Sequence, residues 1–144
     1  MKKINVLFLC SGNTARSQMA EAFLRKYGSD RFEAYSAGLH PSTIHPMTEQ
    51  VMEERGFDLS DQYSKDLEDY MGKKHFGYLI TVCDRAKQEC PSVFPGMGQR
   101  LHWSIDDPVA FQGTEAAQLE KFRDVRDEIE RRITDWIAGQ KSAT

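Results

Sequence analysis

Cysteine is scarce in this chain: Cys10, Cys83 and Cys90 are the only three in 144 residues. So odd and sparse a set excludes the disulfide-stapled class of small secreted domains, which carry more cysteines and usually an even number. A basic surplus is also missing. Lysine and arginine number 19 against 22 aspartates and glutamates, a net charge of −3, which argues against a protein built to bind nucleic acid. A local positive pocket for a small anion is still compatible with that balance. Long apolar runs are absent too, since no stretch approaches the ~20 residues that cross a bilayer. The start imitates a signal peptide, but its apolar run ends at Leu9, and Gly12, Asn13 and Arg16 follow at once. No membrane association is expected. A reducing cytoplasm is the expected location, where a surviving cysteine is more often catalytic or inert than a structural bridge.

What is present is ordinary globular usage, 40% hydrophobic and 28% charged. The length predicts one domain over residues 1–144, expected as a monomer. Ile4–Leu9 reads as a strand buried on both faces. A polar loop follows, then a helix with Ala20, Phe23, Leu24 and Tyr27 on one face and Gly28 at its C-cap. Phe32–Ala37 is a second strand, Pro46–Arg55 a helix, and Phe57–Tyr70 a loop with a short helix. Gly77–Val82 is a third strand, and Asp84–Gly98, polar and broken by proline and glycine, is predicted to be a loop. Arg100–Ser104 is a short fourth strand. Leu119, Phe122, Val125, Ile129, Ile133, Trp136 and Ile137 mark a long amphipathic helix at the C-terminal end. Strands alternating with helices predict a doubly wound α/β fold with helices on both faces of a four-stranded parallel sheet, in the order 2-1-3-4. Ligands of such sheets bind outside the carboxyl ends of the strands, where the chain reverses direction. Cys10 and Cys83 both fall there.

Cys10-Ser11-Gly12-Asn13-Thr14-Ala15-Arg16-Ser17 links the first strand to the first helix. A loop of this size wraps a tetrahedral oxyanion in backbone N–H groups, with Gly12 expected to permit the tight turn and Arg16 to fork onto two oxygens. The same dipoles favour a thiolate at Cys10. Ser17 is positioned either to donate to that thiolate or to hold the loop. Cysteine at a strand end is often mere packing. The strand before the loop, the glycine within it and the helix after it raise the oxyanion reading above that one. Asp107, in Asp106-Asp107-Pro108 after the fourth strand, is a candidate proton donor, its carboxyl kept protonated by neighbouring negative charge; the competing reading is a simple turn. Cys83 and Cys90, seven apart, do not have zinc spacing, and the four histidines form no ligand pattern, so no metal is expected. A mobile segment between the two cysteines is suited to disulfide exchange.

Cys10 to Glu21, read as CSGNTARSQMAE, resembles the signature loop of the low-molecular-weight tyrosine phosphatases and of the arsenate reductases built on the same fold. Tyr35-Ser36-Ala37-Gly38, the Cys83 and Cys90 pair, His102-Trp103 and Asp106-Asp107-Pro108 resemble the thioredoxin-coupled arsenate reductases in particular, and the similarity runs from Ile4 to Ile137. The resemblance implies reduction of arsenate to arsenite through Cys10, then Cys83, then Cys90. Arg16 and the loop amides hold the oxygens, Asp107 is the acid, thioredoxin is the reductant, and no metal or organic cofactor takes part. It leaves two rivals: a phosphatase working through a Cys10 phosphoenzyme, and a redox sensor that binds an oxyanion. Phosphatases typically place tyrosines after Asp-Pro, whereas Val109-Ala110 stand here. Two departures from the pattern are Ala15, where many relatives have a further cysteine, and Lys65. Some relatives bind potassium through residues matching Asn13, Glu21 and Ser36 plus an aspartate at the position of Lys65. Two readings of Lys65 follow: an ammonium near Glu21 in place of the cation, or a solvated surface lysine.

Overall fold

The structure, a computed structural model, describes residues 3–90 and 97–142. Its elements in chain order are β1 (Ile4–Cys10), α1 (Arg16–Tyr27), β2 (Phe32–Gly38), α2 (Pro46–Glu53), a 3-10 turn (Leu67–Asp69), β3 (Phe76–Thr81), α3 (Asp84–Glu89), β4 (Met97–His102) and α4 (Glu115–Ser142). The four strands form one parallel sheet in the order β2-β1-β3-β4, as the sequence predicts. Val6, Leu7, Phe8 and Leu9 are buried whichever way they point, because both faces of β1 are covered. From β1 the chain passes through α1 outward to β2, and from β3 through α3 outward to β4. Right-handed crossovers in opposite directions put α1 and α3 on opposite faces.

Trp136 of α4 anchors one face, with ring centroids 5.0 Å from Phe32, 5.1 Å from Tyr78 and 6.5 Å from Trp103. On the other face Tyr35 meets Tyr70, just past the 3-10 turn, at 5.7 Å. α2 is tied to α4 by Glu54, which receives the Arg123 fork at 2.7–3.1 Å and Arg126 Nη1 at 2.9 Å. Those guanidinium groups hold the Glu54 carboxyl well down, at about 2.

Two expectations are corrected. The segment after Cys83 is not a loop throughout, because Asp84–Glu89 is helical. Cys83 caps that helix by accepting from Ala86 N at 3.3 Å, with Asp84 in the first turn, and the polar residues read as loop are adequate helix formers once capped. Residues 91–96 of the expected loop lie outside the described residues. The fourth strand starts at Met97 and ends at His102, three residues earlier at its start than Arg100 and two earlier at its end than Ser104. Gly98 opens it against Gly77, where an added Cβ would lie 2.5 Å from the Gly77 carbonyl oxygen. Two bare backbones touch there, and hydrophobic patterning carries no sign of such a contact.

Candidate active site

The loop from Cys10 to Ala15 is shaped from outside. Five consecutive carbonyls are held by groups beyond the loop or at its rim. Cys10 O accepts from Leu39 N at 3.2 Å, Ser11 O from His40 N at 2.8 Å and Gly12 O from Ser42 N at 3.1 Å. Asn13 O accepts from Gln18 Nε2 at 3.0 Å and Ser64 Oγ at 2.8 Å. Thr14 O accepts from His45 N at 3.1 Å and Thr48 Oγ1 at 3.0 Å. In a trans peptide the N–H points opposite to the preceding C=O, so the amides from Ser11 to Ala15 turn toward the inside. An inward ring of N–H groups is an anion cradle. The bend itself is made at Asn13, with φ 55°, and not at Gly12 as expected. Asparagine tolerates this left-handed conformation, and its side chain fixes it by donating to Ser17 Oγ at 2.7 Å and accepting from Lys65 N at 2.8 Å. Gly38, the last residue of β2, lies under the loop, and a Cβ there would be 2.9 Å from Ser11 O.

Cys10 Sγ accepts from Asn13 N at 3.2 Å and lies 2.9 Å from Ser17 Oγ. A Cys10 thiolate carries no hydrogen, so in that state Ser17 Oγ is the donor of this contact. Ser17 braces the loop through Asn13 and lies within hydrogen-bond distance of Cys10 Sγ. Arg16 is the first residue of α1. Its Nη1 donates to Ile105 O at 2.8 Å and its Nη2 lies 3.5 Å from Asp107 Oδ2. The two charged groups meant to handle oxygen therefore meet at the mouth of the loop. Asp107 also accepts from Val109 N at 2.9 Å.

Cys83 comes to the same place from β3. Burial pushes its thiol up, against the Ala86 and Ser11 amides and the Arg16 charge, and the Cys10 thiol is among its electrostatic neighbours. Cys90, at the C-cap of α3, is half-buried, and burial pushes it up as well, opposed by Arg100. All three cysteines are free.

The profile of the low molecular weight phosphotyrosine protein phosphatases matches residues 5–143. The chain belongs to this family. Within it, an arsenate reductase of Halalkalibacterium halodurans is 39% identical over 141 residues, covering 98% of this chain and all of that one. A solved arsenate reductase in the oxidized state superposes with a TM-score of 0.79 at 30% identity, covering 94% of this chain and 97% of that one. A thioredoxin-dependent arsenate reductase of Corynebacterium glutamicum gives 0.72 at 28% identity, covering 99% of this chain and 64% of that one.

Beneath the family loop, Lys65 lies beside Glu21. Its Nζ is 3.6 Å from Glu21 Oε1 and donates to Tyr63 O at 2.6 Å. Glu21, buried in α1, also receives Ser36 Oγ and Arg25. Burial pushes the Lys65 ammonium down, and the Glu21 charge pulls it back. The residues that sequence reasoning missed are the outer braces: Gln18, Thr48, Ser64 and the backbone of His45. They act across 5 to 51 positions of chain. The only local signal was a buried glutamine just inside a helix start.

Proposed function

We propose that this chain reduces arsenate to arsenite by a thiol–disulfide relay of Cys10, Cys83 and Cys90, with thioredoxin as reductant, in the service of arsenic detoxification. The reading takes residues 1–144 as one domain, acting as a monomer in the cytoplasm. The observation that carries it is a second buried cysteine at the oxyanion-loop end of the sheet: β3 pairs with β1 up to Leu9 and Thr81, Val82 N donates to Leu9 O at 2.9 Å, and Cys83 follows at the strand end beside the one that carries Cys10. A hydrolase needs the loop thiol alone.

The Cys10 thiolate attacks arsenic while the loop amides and Arg16 hold the oxygens, and Asp107 protonates the oxygen that departs. Cys83 then attacks Cys10 Sγ. The sulfur–arsenic bond breaks with its electron pair left on arsenic, arsenite departs, and a Cys10–Cys83 disulfide remains. Cys90 attacks Cys83 Sγ, Cys10 leaves as thiolate, and the disulfide moves to Cys83–Cys90. Two electrons and two protons from thioredoxin restore both thiols. Cys83 and Cys90 flank six helical residues. At 1.5 Å of rise per residue their Cα atoms are about 10 Å apart, beyond the ~7 Å that a disulfide spans. α3 therefore opens during each cycle.

The test is arsenate-dependent oxidation of thioredoxin, followed continuously with thioredoxin reductase present. Sustained turnover is the expected result. Hydrolysis of aryl phosphate with no arsenate-driven turnover would favour the phosphatase reading. A single disulfide formed without turnover would mark a sensor.

A further inference from the structure

The helix that has to open is fastened to the sheet by side chains with no part in the chemistry. His102, the last residue of β4, has Nε2 2.9 Å from Asp84 Oδ1 and Nδ1 2.7 Å from Thr81 Oγ1. Ser104 Oγ donates to the same Asp84 oxygen at 3.1 Å. Asp84 begins α3 and directly follows Cys83. The contact thus joins the carboxyl ends of β3 and β4 to the first turn of α3. The His102 side chain is 20% exposed and that of Asp84 71%, so the histidine is the anchored member. A cavity of about 290 Å³ lined by Leu79, Thr81, Cys90, Arg100, Leu101 and His102 opens on one side of the imidazole. A depression lined by Asp84, Gln88, His102 and Ser104 opens on another. His102 therefore stands between Cys90 and the start of α3, with room for the segment to move. At the far end of the helix Glu89 lies 3.5 Å from His40 Nε2. That pair is exposed and loose, a geometry that contributes little.

We propose that His102 is a positioning residue for the relay. By holding Asp84 it keeps the first turn of α3 folded with Cys83 beside Cys10, and by releasing Asp84 it lets the segment unwind so that Cys90 reaches Cys83. The proposal rests on the relay reading. The contact acts in opposite senses on two successive steps. While it holds, Cys83 is in place to attack Cys10 Sγ. Once the Cys10–Cys83 bond exists, the same contact restrains the exchange in which Cys90 Sγ bonds to Cys83 Sγ and Cys10 departs as thiolate, with no net oxidation. Loss of the contact slows the first step and speeds the second, whereas general destabilisation slows both.

The experiment combines amide hydrogen exchange of the reduced protein with quenched single turnovers, the disulfides being mapped by mass spectrometry. His102→Ala is expected to speed exchange in residues 85–90 about fivefold, the worth of one net hydrogen bond, Asp84→Ala, which also releases Ser104, at least as much, and the double variant to add nothing beyond Asp84→Ala. Both variants slow the appearance of Cys10–Cys83 in a Cys90→Ser background and shorten its lifetime when Cys90 is present. His102→Gln, which keeps a donor, restores the unmodified behaviour. Unchanged exchange and rates, or slowing of both steps, would overturn the proposal. A parallel arm oxidises the thiols with diamide, which needs no oxyanion. If arsenate yields no disulfide in the unmodified protein, the relay reading fails. The diamide arm then still decides the role of His102: faster Cys83–Cys90 closure in His102→Ala supports it, and equal rates overturn it.

Discussion

Asp106 and Asp107 are adjacent in the chain and part company in the structure. Asp106 receives Lys121 Nζ at 2.8 Å on the surface, and that ammonium holds its carboxyl below the usual range. Asp107 faces Arg16 at the loop. Asp107→Asn is expected to lower kcat for arsenate by about 10²–10⁴-fold, the span of a lost general acid, and Asp106→Asn to do far less. Equal losses in steady-state assays would show the acid to be misassigned. Lys65 invites a second comparison. With its ammonium already beside Glu21, potassium at fixed ionic strength is expected to leave activity and Tm nearly unchanged relative to sodium. Several-fold activation by potassium would contradict a lysine standing in for a cation. The placement of both side chains was legible in the sequence, because each sits beside a charged partner on an element that the strand and helix pattern announces. The left-handed Asn13 was not: its conformation depends on Ser17 nearby and on Lys65, 52 residues away.

At the scale of elements, α3 shows where patterning stops being informative. Asp84–Glu89 has no apolar periodicity to announce a helix, and its folding depends on a thiol as N-cap and on Ala86 buried beneath it. β1 and β3 were readable because covered strands in the middle of a parallel sheet are nearly continuous apolar runs. β4, whose start is set by two glycines in contact, was displaced in the reading. The environment of α3 has a kinetic consequence. A thiol raised by burial is less ionised at neutral pH than an ordinary one, so formation of the first disulfide is expected to accelerate with pH through and beyond ~8.5, the usual thiol value. Single-turnover rates between pH 6 and 10 test this, and a plateau below pH 8 would contradict it. The α2–α4 junction gives an equilibrium counterpart. The Glu54 carboxyl is lowered to about 2. The stability it contributes is therefore present above its unfolded value of ~4.3 and is lost as pH falls toward 2. Glu54→Gln is expected to lower Tm at pH 7, with the difference shrinking below pH 4 in thermal scans.

Across the whole molecule, the strand order brings the reactive residues together. β1 and β3 are neighbours in the sheet although about 70 residues of chain separate them. Their carboxyl ends deliver Cys10 and Cys83 to the point where the crossovers diverge, and β4 brings His102 and the Asp107 loop to the same edge. The doubly wound order and the convergence of two cysteines followed from alternation and handedness. The braces that turn five carbonyls outward did not, because each is a contact between segments distant in the sequence. Disulfide mapping after one equivalent of arsenate reads out the order in which the three thiols act. Cys90→Ser is expected to accumulate a Cys10–Cys83 bridge, and the unmodified protein Cys83–Cys90. A Cys10–Cys90 bridge in the unmodified protein, or arsenate turnover with thioredoxin sustained by Cys83→Ser, would contradict the relay.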